Sequence, residues 1–267
     1  MQIVLRIISF FIIWALPSLA FGQQPYQEMA VSNGGKISGV VKFTGPKPAQ
    51  KFVRVTKDQE FCGKTMPSDE LVISDSGAIR QTVVSLEGIV KGKKIVRSVV
   101  VIDNKKCMFE PHVQALITGA PLEVRNNDPV FHNIHALLDG RATVFNLALP
   151  MPGMKVERRL GTRPGLIEIM CDAHRWMLAY VKLFDHPYFA VTNDKGFFEI
   201  TDVPPGRYKV MTWQEHLNVQ KKEVLVTAGG EIKLEFTFTP ADLVERQLSP
   251  HVSESMRGME MEEHGGK

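Results

Sequence analysis

Residues 165–184 read GLIEIM-CDAHRWM-LAYVKLF. The two outer runs, Gly165–Met170 and Leu178–Phe184, are apolar, short and rich in residues that suit a pleated, buried surface. They predict a strand, a loop over Cys171–Met177, and a second strand. The same texture continues outward. Lys36–Phe43, Ser98–Ile102 and Pro121–Arg125 are further strand-like runs, separated by Gly, Pro, Asn and Asp, and sustained helical periodicity is scarce. This spacing predicts an all-β chain built on a sandwich of two sheets. Residues 50–70 and 139–164 are less regular and read as loops or a short helix.

A second unit is expected over 187–239. Phe189–Thr192 and Phe197–Ile200 flank the turn Asn193-Asp194-Lys195-Gly196, and Pro204-Pro205-Gly206 fits another tight turn. Arg207–Trp213, Glu223–Thr227 and Ile232–Phe238 complete an antiparallel set. Thr192–Trp213 (TNDKGFFEITDVPPGRYKVMTW) resembles carboxypeptidase regulatory-like domains. That resemblance implies a small transthyretin-like β-sandwich. The copy is short and lacks a first strand, so it is expected to borrow one from the preceding domain. Past Ala241 the pattern fades: Asp242–Leu248 suits a short helix, and 241–267 reads as a flexible tail with Met256, Met259, Met261 and His264 scattered through it.

The chain opens with Arg6 ahead of an apolar run, and Ser18-Leu19-Ala20 or Ala20-Phe21-Gly22 offers small residues for cleavage. This predicts a signal peptide over 1–22, with an uncleaved anchor as the alternative, and a periplasmic or otherwise exported protein without a later transmembrane span. A formal charge of +3 does not point to nucleic acid. The chain has three cysteines, Cys62, Cys107 and Cys171. In an oxidising compartment an odd count suggests one disulfide and one thiol with another task. Cys171 sits among His and Met, which makes Cys62–Cys107 the natural bridge, although the count alone does not fix the pairing.

Cys171-Asp172-Ala173-His174-Arg175-Trp176-Met177 places a thiolate, an imidazole and a thioether on one short loop. Soft sulfur with imidazole selects copper, and two His with one Cys and a weak axial Met is the ligand set of blue-copper electron transfer. A second His is required, and Val124–Asn133 (VRNNDPVFHN) supplies His132 at the end of a strand and polar turn. Here the chain resembles the cupredoxins, the amicyanin group most closely, over about 36–184. The resemblance implies a Greek-key β-sandwich holding one type 1 copper ion, with His132, Cys171 and His174 in the plane and Met177 axial. It also implies that Asn133 pins the loop and tunes the Cys171 sulfur.

Other candidates read as structural. His135 falls on the opposite strand face from His132. His112 suits packing or hydrogen bonding, and Glu215 and His216 face apart. Trp176 and the edge of His174 are expected near the surface as an electron exit, beside Arg175. If Lys155, Arg158, Arg159 and Arg163 gather there, they favour an acidic redox partner, such as a c-type cytochrome or a membrane-associated redox complex. The expected role is that of an electron carrier and not an enzyme. A copper carrier or storage protein and a structural docking subunit are the rivals.

Overall fold

A computed structural model describes residues 24–68 and 70–245. The expected signal peptide and the Met/His positions of the tail lie outside the described residues. The chain is all-β, as the sequence predicts, and forms two stacks of sheets.

One stack carries the Cys171 loop. Its five-stranded sheet runs in the order Ala142–Leu149, His132–Leu138, Gly165–Met170, Leu178–Phe184, Val113–Ile117. A four-stranded sheet, ordered Met154–Arg159, Pro121–Asn126, Val100–Lys105, Met108–Glu110, belongs to the same stack. Alternation along these strands sends Ile102, Leu122, Val124, Ile134, Ala136, Ile167, Ile169, Ala179 and Val181 into one core. Residues 139–164, read as loop or helix, instead supply the strands Ala142–Leu149 and Met154–Arg159. Both lie at sheet edges; one-sided pairing lets Met154–Arg159 (MKVERR) stay polar enough to hide the pattern, whereas Ala142–Leu149 (ATVFNLAL) is mostly apolar and carries strand-type residues.

The other stack shows how the chain divides. Gly35–Phe43 sits between Phe197–Val203, antiparallel, and Glu231–Phe238, parallel. Val83–Glu87 sits between Phe189–Val191 and Gly206–Trp213. The boundaries expected at 36–184 and 187–239 are therefore corrected. Strands from 35–43 and 83–87 belong with the C-terminal set, and the first stack is built from the chain between them and Phe184. The short C-terminal unit does borrow, and takes two strands where one was expected. Ile37, Val41, Leu86, Phe198, Val210, Phe236 and Phe238 fill its core. No α-helix begins at Asp242: Pro240–Asp242 is one 3-10 turn, and Leu243 bridges to Leu217.

The stacks share a third cluster, in which Val83 meets Val113, Leu137, Met170, Leu178 and Tyr180. Beside it His112 spans the join. Its Nδ1 lies 2.8 Å from the Leu178 carbonyl and its Nε2 2.5 Å from Glu215 Oε1, and both side chains of this ion pair are 2% exposed. His216 turns to Glu70 at 3.0 Å instead, so Glu215 and His216 do face apart. Removing one partner of a buried pair strands the other. Glu215→Leu is expected to cost about 3–5 kcal/mol in denaturant unfolding, and a loss below about 1 kcal/mol would show that the pair does not tie the stacks together.

Candidate metal centre

His132 opens the strand His132–Leu138, and Cys171 follows the last residue of its neighbour Gly165–Met170. The loop from Cys171 returns at once to Leu178, which pairs with Met170. Two bonds close it further: Met177 N–H donates to the His174 carbonyl at 2.9 Å and Cys171 N–H to the Met177 carbonyl at 3.3 Å. The sheet thus places both ends, and the loop has little freedom between them.

Three donors converge inside. His132 Nδ1 and His174 Nδ1 are 3.1 Å apart, and they lie 3.9 and 3.7 Å from Cys171 Sγ. All three residues are 0% exposed. An ion bound by two imidazoles and a thiolate in one plane, at metal–donor lengths of about 2.0–2.3 Å, spreads the donors about 3.5–3.8 Å apart. The two sulfur–nitrogen sides, 3.9 and 3.7 Å, are close to that size, and the nitrogen–nitrogen side, 3.1 Å, is shorter. The far nitrogens strengthen the case. His132 Nε2 lies 2.9 Å from Asp128 Oδ2, and His174 Nε2 lies 2.8 Å from Asp58 Oδ2. A carboxylate only accepts, so each Nε2 donates to its carboxylate, and each ring presents its Nδ1 inward toward Cys171 Sγ. Two imidazole nitrogens and a sulfur gathered in a dry site suit a cation.

Met177 lies on the same loop and is 2% exposed, in the core beside Trp176. Asn133 ties the loop to the strand His132–Leu138. Its Oδ1 accepts from Ala173 N–H at 3.1 Å and lies 3.4 Å from Cys171 Sγ, and its Nδ2 donates to Asp172 and Asn146. His135 contacts Asp172 and Thr143 and stays out of the donor set. Cys62 and Cys107 are joined in a disulfide, and Cys171 is free. With its sulfur in that bridge, Cys107 offers no thiolate to the neighbouring Asp128 and His132.

Two expectations about the surface are corrected. Trp176 is 5% exposed; its indole N–H donates to the Cys107 carbonyl at 3.0 Å and its ring packs edge-on against His174. A buried indole needs such a partner, and the core supplies one. The His174 edge is likewise covered by Asp58, while Arg175 is exposed as expected. Nor do the basic residues all gather at the centre. Lys155 pairs with Arg125, one position from the Met154–Asn126 pair at the site end, but Arg159 pairs with Pro121 five positions along the strand from Asn126, about 17 Å away. Arg163 pairs with Asp139 there.

Sequence reasoning missed both carboxylates. Asp128 lay inside the quoted N-N-D segment, four residues before His132, and that spacing was its signal. Asp58 had none: it sits in the irregular 50–70 stretch, 116 residues from its partner.

Comparison with known proteins adds four findings. A family model described as polysaccharide lyase family 4, domain II, and not the expected carboxypeptidase regulatory-like domain, matches residues 166–234, well under half of the chain. No curated protein matches the chain. Among solved structures, a purple cupredoxin from Nitrosopumilus maritimus aligns at 22% identity and TM-score 0.28, over 33% of this chain and 99% of its own. A copper-containing nitrite reductase from Thermus scotoductus (16%, TM-score 0.29, 34% of this chain, 24% of its own) and an amicyanin variant in its reduced state (17%, TM-score 0.30, 34% and 87%) align likewise.

Burial by itself would push the Cys171 thiol up, but hydrogen bonds from His132 and His174 and from the Asn133 backbone pull it down to about 6. Burial also works against charge on His132, yet Asp128 and Cys171 raise its pKa overall. The metal-free protein is therefore expected to hold Cys171 as a thiolate at neutral pH. Its ultraviolet thiolate absorbance, with Cys171→Ser as blank, should titrate near pH 6. Because the folded value lies below the unfolded one, the stabilisation is complete above about pH 8.5 and disappears as pH falls through 6. A thiol titrating near 9 would overturn the proposed electrostatics.

Proposed function

We propose that His132, Cys171 and His174, with Met177 as a weaker fourth donor, hold one copper ion, and that the exported protein passes single electrons between this centre and a redox partner. The observation that carries this reading is the convergence of two imidazole Nδ1 atoms on the buried Cys171 Sγ. When bound, copper supplies a Cu(I)/Cu(II) couple within a sulfur- and nitrogen-donor set that suits both states. The chain's own contribution is rigidity. The Met170–Leu178 pairing and the Asn133 bonds hold the loop ends, while Asp58 and Asp128 hold the two rings. Little needs to move when the charge changes.

Full burial of the donors favours an electron carrier over a copper carrier, which must release its ion readily. Four protein donors around one ion also leave substrate no open position, so we propose no enzymatic role. The partner is a protein such as a c-type cytochrome or a membrane-associated redox complex. Among the described residues no helix is long and apolar enough to cross a membrane.

The purified protein with Cu(II) should show an intense visible thiolate-to-copper band with reversible redox, and Cys171→Ala should lose the band while keeping its fold. A colourless wild type, or a coloured Cys171→Ala, would sink the proposal. Met177→Leu keeps volume and removes the thioether. It should stay coloured with a raised reduction potential, because Cu(II) loses more than Cu(I) does with a departing electron donor. An unchanged potential would make Met177 a core residue only.

A further inference from the structure

The carboxylates behind the two imidazoles are not independent. Asp58 is the residue before the short helix Gln59–Cys62, and it adopts left-handed backbone, φ 52°, at a position where a side chain normally caps the helix. It makes no such cap. Its carboxylate reaches instead across 116 residues of sequence to His174 Nε2. Left-handed backbone is uncommon at a residue other than glycine, and from it the carboxylate reaches the ring. At the other end of that helix Cys62 is bonded to Cys107. Cys107 lies in the turn 106–107, and the backbone N–H groups of Lys106 and Cys107 donate to the Asp128 carboxylate at 2.7 and 2.8 Å. Asp128 in turn accepts from His132 Nε2. One covalent bridge therefore joins the segments that back both rings.

We propose that Asp58 and Asp128, cross-linked through Cys62–Cys107, are positioning residues that hold both imidazoles in the inward-facing tautomer and strengthen them as donors, biasing the centre toward its oxidised state. This rests on the copper reading above. A carboxylate accepting the far N–H raises the basicity of the near nitrogen and fixes the ring orientation. It also adds negative charge within one ring's width of the ion, which favours the more highly charged state. Asp128 is shielded, with its side chain 3% exposed, and Asp58 is 33% exposed. Asp128 therefore exerts the stronger pull, and Asp58 is the more replaceable of the two.

Two readouts at one fixed pH test the proposal on the full-length protein: the midpoint potential of the copper form, and nitrogen NMR of the imidazole tautomers in the metal-free form. Asp58→Asn is expected to raise the midpoint and to lower the share of Nε2–H tautomer at His174, with thermal unfolding little changed; Asp58→Glu should recover part of both. Asp128→Asn should raise the midpoint further. If it fails to fold, because the 106–107 turn has lost its acceptor, Asp58→Asn still decides. Removing the bridge with Cys62→Ser and Cys107→Ser together should raise the midpoint and shrink the further effect of Asp58→Asn, as coupled residues do. A coloured Asp58→Asn protein with unchanged midpoint and tautomer overturns the inference and leaves the copper reading standing. A colourless wild type overturns the copper reading, while the metal-free tautomer shift still decides whether the carboxylates position the rings.

Discussion

The Asp128 carboxylate is the point on which this architecture depends. It is buried, and it accepts from the Lys106 and Cys107 backbone and from His132. Burial alone would favour its neutral form, but these donors hold its pKa below the usual carboxylate range. A buried anion is tolerated only when its lone pairs are so occupied. Lys106 and Cys107 both have positive φ, 53° and 57°, a conformation disfavoured for side-chain-bearing residues. Two charge-assisted hydrogen bonds offset that cost. Asn126 shapes the other side: its Oδ1 accepts from Asp128 N–H and its Nδ2 donates to Val130 and Leu149 carbonyls. The segment 126–132 is thus folded around polar groups before any ion is considered.

Cys107 carries three constraints in one residue: its N–H goes to Asp128, its carbonyl accepts from Trp176, and its sulfur meets Cys62. This explains why Trp176 departs from the exposed position expected of a loop tryptophan. Sequence shows that an indole lies in a loop, but not that a carbonyl waits for it inside.

Much of the centre was legible because it is local. Cys171, His174 and Met177 share one loop, and the residues flanking it show the strand pattern directly. His132 and Asn133 followed from the polar turn that leads to them. What stayed hidden is long-range. The alternation in Lys36–Phe43 announces a strand but says nothing about its partners, which are Phe197–Val203 and Glu231–Phe238. A boundary drawn at a composition change near Pro187 therefore cut across two sheets. Asp58 was hidden for the same reason: in sequence it is an ordinary polar residue in an irregular stretch, and its partner His174 lies 116 residues away.

The interleaving of the two stacks has a consequence for the order in which the chain can close. Gly35–Phe43 is synthesised before both its neighbours, which lie beyond residue 196. The stack bearing the Cys171 loop is complete once Phe184 has emerged. Until Phe197–Val203 arrives, Ile37, Val41 and Phe43, all buried in the finished fold, belong to a strand with two open edges, and one edge stays open until Glu231–Phe238 follows, an arrangement prone to pairing with another chain. This early strand is the last to be sealed, so the nascent protein is most exposed to misassembly after its Cys171 loop has already formed.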